Sequence, residues 1–254
     1  MKRSLSLLLI LLALGQAGAQ DAVSAPDLAA KLSTLQQDGT SLVRLKMDMK
    51  GRSSLQLQIK QRREGGSADV LYQVLWPKER AGEAVLLRKS GSQAGSAATF
   101  TPPDKTGSLE MSGGLFGSEL TPSDVLENFF AWPTQAITGT EAIGRVTCQI
   151  LESKPGKGQR SSYASVRTWV DTRRSVPLRI EKYNSSGQVI CRIESGRIVT
   201  DVKGRHVPAS FTVSRNGTST ELDGSKLKHD VSFAADEFTA EGMKKAAAAK
   251  PTEP

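Results

Sequence analysis

The sequence predicts a mainly β protein: one antiparallel sheet of roughly 10–11 strands, curled to bury an apolar face, with a few short helices packed on it. Three observations predict it. Between Gly144 and Gly196 four strand-like runs follow one another, Arg145–Glu152, Tyr163–Asp171, Pro177–Tyr183 and Gln188–Glu194, each rich in Val, Ile, Thr, Tyr or Trp. Their connections, Lys154–Gly158, Thr172–Ser175 and Asn184–Gly187, are polar and too short for a crossover helix, so the pairing is an antiparallel meander. Earlier in the chain, Val43, Leu45, Met47 and Met49 alternate with Arg44, Lys46, Asp48 and Lys50, the two-residue period of a strand with one dry face.

The first residues stand apart from this pattern. Lys2-Arg3, the apolar run Leu5–Leu14 and the small-x-small triplet Ala17-Gly18-Ala19 read as a signal peptide over residues 1–19, cleaved after Ala19. Export follows, and no Cys adjoins the apolar run, so the product is expected to be soluble and not lipid-anchored. No later run reaches the roughly 18 apolar residues of a membrane span. The formal charge of +8 on 254 residues falls to about +6 on the mature chain. A nucleic-acid partner is not expected for an exported chain whose basic residues lack interleaved aromatics.

Ser24 to Asp38 is the first predicted helix: Ser24 and Asp27 form a weak capping box, Leu28, Leu32 and Leu35 a stripe at helical spacing, and Gly39 a stop. The hairpin that follows pairs the Val43–Met49 strand with Leu55, Leu57 and Ile59 across Gly51-Arg52. Asp69–Trp76 and Glu83–Lys89 are apolar on both faces, which places them deep in the sheet. From Ser90 to Gly114 the texture turns to Gly, Ser, Ala and Thr, with weak strands at Ala98–Thr101 and Ser108–Met111. A second helix is expected from Pro122 to Phe130, with Thr121 as N-cap, Pro122 at the first position and Asp124 at the positive end of the dipole. Its bulky face, Val125, Leu126, Phe129 and Phe130, suits a plug for the mouth of a curved sheet. After the meander, Gly196–Val202, His206–Ser214, Thr218–Asp223 and Lys226–Phe233 complete the ladder, a last helix covers residues 236 to 242, and residues 244–254 read as a low-complexity tail after a single domain spanning 20–243.

Several of these segments resemble a known family. Phe116-Gly117-Ser118-Glu119-Leu120 followed by Asp124-Val125-Leu126, then Trp169-Val170-Asp171, Val176-Pro177-Leu178-Arg179, Tyr183–Gln188 and His206-Val207-Pro208, together resemble the outer-membrane lipoprotein-sorting proteins, the LolA-like periplasmic carriers, over nearly the whole mature chain. The resemblance implies an unclosed half-barrel whose concave side is closed by helices and holds acyl chains, and a non-enzymatic periplasmic role in carrying lipoproteins or lipids. An alternative is a regulatory sensor that uses the same cup to bind mislocalised lipoprotein and docks a membrane-anchored partner. An acyl chain needs a roomy apolar lining rather than a catalytic group. The candidate lining is Leu45, Met47, Met49, Leu55, Leu57 and Ile59 from the front hairpin, with Phe116, Leu120, Phe129 and Phe130 from the plug. Trp132 is expected either at the rim or as a structural aromatic.

No enzyme, cofactor or metal chemistry is expected. Both histidines, His206 and His229, lie in strand-like sequence. His-x-x-x-His, Cys-x-x-Cys, Gly-x-Ser-x-Gly and phosphate-loop spacings do not occur, so zinc, nucleophile-elbow and phosphate-cradle sites lack their parts. Cys148 and Cys191 fall on the first and fourth meander strands, about 14 Å apart at 4.8 Å per strand. That exceeds the roughly 7 Å a disulfide tolerates, and alternation puts both on the apolar face, so they are expected as two buried thiols.

Overall fold

The computed structural model describes residues 23–37 and 39–248; the predicted signal peptide and the last six residues lie outside them. A helix, α1 (Ala25–Gln36), leads into six strands, β1 (Gly39–Met49), β2 (Ser53–Glu64), β3 (Ser67–Trp76), β4 (Ala84–Lys89), β5 (Ser96–Thr101) and β6 (Lys105–Ser108). A plug segment follows, holding α2 (Pro122–Leu126) between two single-turn helices, Leu115–Gly117 and Phe129–Ala131. Then come β7 (Thr134–Ile143), β8 (Val146–Lys154), β9 (Ser165–Asp171), β10 (Val176–Tyr183), β11 (Val189–Ser195), β12 (Ile198–Thr200), β13 (His206–Pro208), β14 (Ser210–Arg215), β15 (Thr218–His229) and α3 (Ala240–Ala248).

Thirteen strands make one sheet in the order β6-β5-β4-β3-β2-β1-β15-β14-β11-β10-β9-β8-β7, while β12 and β13 pair as a separate ribbon. Its end strands, β6 and β7, are not paired with each other, so the barrel is left open. All rungs are antiparallel, and β8 through β11 form the expected meander, with β7 added at its edge. β1 and β15 meet in the middle, so the last strand closes the front hairpin onto the meander half.

Core packing divides by face. On the inner face one cluster joins Leu45, Met47, Met49, Leu55, Leu57 and Ile59 to Val70, Val85, Cys191, Val213 and the plug's Leu115, Leu120 and Leu126. A second inner cluster packs α1, through Leu28 and Leu32, on Phe129, Phe130, Trp132, Leu151, Val166 and Val170. The outer face is also dry in two places. Leu71, Ala84, Leu86 and Phe100 lie under Phe238 and Met243 of the C-terminal segment. Cys148, Trp169, Val176 and Leu178 pack together with Ile198 of the small ribbon. This explains why the strands β3 and β4 read as apolar on both faces: Val70, Tyr72 and Val74 point inward, Leu71 outward under α3.

Some expectations are corrected. β7 went unpredicted because it is an exposed edge strand whose residues alternate weakly and whose register breaks at Gly139. Thr218–His229 is one strand rather than two, carried past Gly224 by a bulge opposite Arg44 and Leu45. The second weak strand sits at Lys105–Ser108, three residues before its expected start. The plug helix ends at Leu126, and Phe129–Ala131 form a separate single turn. The last helix continues to Ala248, beyond the expected start of the tail at 244, and packs on the outer face. Cys148 and Cys191 are free and buried, as expected, but on opposite faces: Cys148 lies in the outer cluster with Trp169, and Cys191 in the inner one.

Candidate functional site

The site is built on the inner face of β1 and β2. Their register sets Leu45 opposite Leu57, Met47 opposite Leu55 and Val43 opposite Ile59, a continuous apolar floor. Met47, Leu55 and Leu57 have no solvent exposure. What covers them is not a second sheet. It is the plug, residues 109 to 130, whose Leu109, Met111, Leu115, Phe116, Leu120, Val125 and Leu126 all join the floor cluster. The plug turns sharply: Phe116 and Gly117 both take left-handed backbone, at φ 55° and 85°. Gly114 is needed there because a Cβ would fall 1.9 Å from the Ser118 carbonyl oxygen.

Polar ties hold the plug down. Thr121 caps α2 in a full capping box, accepting from the Asp124 backbone N–H while Asp124 accepts from that of Thr121. The Asp124 carboxylate is fully buried and reaches three elements at once. Its Oδ1 accepts from Lys182 Nζ of β10 at 2.7 Å and from the Tyr163 hydroxyl at 2.7 Å, and its Oδ2 from Arg215 Nη2 of β14 at 3.0 Å. Burial alone would raise the Asp124 pKa, but the charges of Lys182 and Arg215 outweigh it and hold the carboxyl well below the usual carboxylate range. Lys182, itself buried, is raised by Asp124 against its own desolvation, and its ammonium stands 4.7 Å from the Tyr163 ring centroid and 5.7 Å from that of Phe129. Burial pushes the Tyr163 hydroxyl up to about 12. Lys182 thus sits at the seam of the two inner clusters.

Further ties flank this centre. Glu119 accepts from Thr220 Oγ1 of β15 and from Arg52 of the β1–β2 turn, and Arg52 Nη1 also donates to the Gly117 carbonyl at 2.6 Å. Arg63 at the end of β2 donates to the Val125 carbonyl at 2.9 Å. At the plug's outer side a groove of about 1040 Å³ opens between the β4–β5 loop, the plug and the β8–β9 loop. Met111 and Leu126 line it and also belong to the floor cluster, so these two side chains are the partition between the groove and the apolar interior. Gly95 permits that closure: a Cβ there would lie 2.9 Å from Leu126 Cδ1 and 3.0 Å from Met111 Cε.

The predicted lining residues therefore divide. Leu45, Met47, Met49, Leu55, Leu57, Ile59, Phe116 and Leu120 share one cluster, whereas Phe129 and Phe130 belong to the second, under α1. Trp132 is buried against the Phe129 ring and not at a rim. Sequence reasoning missed Lys182, Arg215 and Tyr163. One signal was available: Lys182 follows Ile180 at an inward position of β10, where a lone cation requires a buried partner. His229 lies beside Asp201, its Nε2 3.2 Å from the carboxylate. Among the described residues no group of three or more His, Cys, Asp or Glu is placed to hold a metal ion, and no helix is long and apolar enough to cross a membrane.

Comparisons with known proteins agree with this architecture. A family model described as "Uncharacterized protein" matches residues 66–245. No curated protein matches the chain. Among solved structures, a DUF1329 family protein from Desulfovibrio piger superposes with a TM-score of 0.77 at 18% identity, covering 86% of this chain and 97% of that one. A putative outer membrane lipoprotein-sorting protein domain from Vibrio parahaemolyticus gives 0.74 at 19%, over 85% and 97% of the two chains. A LolA superfamily protein from Nitrosomonas europaea gives 0.66 at 19%, over 87% and 100%. At these identities the likeness is one of fold.

Proposed function

This chain belongs to that uncharacterised-protein family and carries the fold of LolA-like lipoprotein-sorting proteins, and from that premise we propose that it is an exported, non-enzymatic carrier that takes acyl chains of lipids or lipoproteins under its plug. Its place of work is the periplasm, and its part is in moving such chains between membranes. The observation that carries the reading is the partition: Met111 and Leu126 stand between an open groove and a dry floor.

Magnitudes support a reversible cycle. Each methylene moved out of water gains about 0.8 kcal/mol, so a 16-carbon chain gains roughly 12 kcal/mol. Lifting the plug exposes a few Leu- or Phe-sized side chains at about 1.5–3 kcal/mol each, and unpairing a buried ion cluster costs about 3–5 kcal/mol more. Gain and cost are of one size, which lets a guest enter and leave. The test is purification from the exported compartment without detergent, followed by organic extraction and mass spectrometry. Bound acyl lipid or acylated peptide is expected, together with saturable binding of a fluorescent fatty-acyl probe. An empty extract and no probe binding overturn the reading; co-purification of a membrane-anchored protein without lipid would favour the sensor role instead.

A further inference from the structure

The groove beside the plug is not neutral. Lys89 at the end of β4, with Lys157 and Arg160 of the β8–β9 loop, line it, and the single carboxylate among its lining residues is that of Glu127. Glu127 is already engaged, accepting from Ser161 Oγ at 2.6 Å and from the Ser162 backbone N–H at 3.1 Å. None of the three cations takes part in an ion pair or hydrogen bond among the described residues. Several cations outside the groove do have partners: Arg62 and Arg88 share Asp69, Arg179 meets Glu194, and Arg197 meets Asp223. Three unmatched cations converging on one concavity, whose inner wall is Met111 and Leu126, make an amphipathic site: positive and hydroxyl-lined at the rim through Ser92, Ser161 and Ser162, apolar at the partition.

We propose that this groove selects acyl ligands with a net negative headgroup, seating the anion on Lys89, Lys157 and Arg160 while the chain enters past Met111 and Leu126. The proposal rests on the carrier reading and adds the chemical class of its ligand. The groove's volume, about 1040 Å³, lies at the upper end of the roughly 300–1,000 Å³ of small-molecule sites, which suits a headgroup plus the first part of a chain. Cations placed near an anionic lipid surface contribute about fivefold in affinity each, so selection by charge should be readable.

The experiment uses the full mature protein and monoacyl probes below their micelle concentrations. Lysophosphatidylglycerol and lysophosphatidylcholine share the chain and the phosphodiester and differ in net charge; glycerol phosphate supplies the anion without a chain. Lysophosphatidylglycerol is expected to bind at least about tenfold more tightly than lysophosphatidylcholine at low salt, with the gap closing as salt rises. The double substitution Lys157→Glu/Arg160→Glu should remove that gap. Lys226→Glu/Lys228→Glu, which makes the same charge change on exposed residues of β15 outside the groove, should leave it intact. Equal binding of the two lipids overturns the proposal while leaving the carrier reading standing. Binding of neither overturns both. Competition by glycerol phosphate as strong as by the anionic lipid, or loss of the gap in the β15 variant, assigns the effect to free anions or to overall charge and likewise overturns it.

Discussion

Asp124 is a helix-capping residue and an ion-pair partner at once: Oδ2 does both jobs and Oδ1 adds a second ion pair. Oδ2 holds the Thr121 N–H, the Thr121 hydroxyl and Arg215, while Oδ1 holds Lys182 and Tyr163. Its folded pKa is depressed, below an unfolded value near 3.9. The stabilisation is therefore fully present above about pH 4 and is lost as pH falls through the lower folded value. Mild acidity should leave the plug in place. Asp124→Asn leaves Lys182 buried without its counter-charge, and a loss of about 3–5 kcal/mol at pH 7 is expected by urea unfolding. That difference should shrink steadily below pH 4; a constant difference down to pH 2 would show that the charge is not what matters. Cys191 gives a second reading at the same spot. Burial first, and then Asp124, push its thiol up to about 11. At pH 8 the native protein should resist iodoacetamide and the denatured protein take up label on both cysteines, and fast native labelling of Cys191 alone would mean the plug opens readily.

The plug is short of regular structure for its task, so its cap should control how often it opens. Thr121→Ala removes the hydroxyl that receives the Asp124 N–H, at a cost of about 1 kcal/mol. Amides of residues 115–127 are then expected to exchange about fivefold faster, with the β1 and β2 amides unchanged, and equal acceleration in both would mean the plug is part of the global fold. This cap was legible in the sequence because Thr-Pro-Ser-Asp carries its own local chemistry, as did the front hairpin and the meander, whose alternation and turns are short-range signals. What escaped was set by distant neighbours. β7 is a strand because an edge was free beside β8, not because its residues alternate. Val146, Cys148 and Ile150 alternate as expected, yet their dry face turns outward, since Trp169, Leu178 and the ribbon's Ile198 cover it there. The meaning of Lys182 depends on a carboxylate 58 residues earlier in the chain, which no window of sequence brings alongside it.

At the scale of the whole molecule the sheet is one continuous hydrogen-bonded frame with the plug packed on its inner face. Its central rungs, from β2 through β1 to β15 and β14, bind the front hairpin directly to the strand carrying Arg215. The plug is joined to that frame by the Leu109 N–H to the Ala97 carbonyl of β5 at 3.0 Å and by side-chain ties, one of them Glu119 to Thr220, where the Glu119 N–H also donates to Thr220 Oγ1 at 3.3 Å. A Glu119→Cys/Thr220→Cys pair, made with Cys148 and Cys191 replaced by Ala, would fasten the plug to β15. A guest that binds only the folded state adds about 2.7 kcal/mol of stability at a hundredfold excess over its Kd, or roughly 5–10 °C in Tm for a chain of this size. In the reduced variant an acyl probe should give a rise of that order. In the oxidised variant the probe should give no rise and no binding, because the floor beneath Met111 and Leu126 can be reached only by moving what lies over it. Thermal melts with and without probe, in both redox states, decide the matter: undiminished stabilisation of the oxidised protein would mean that the guest sits outside the plug and that the inner face is simply core.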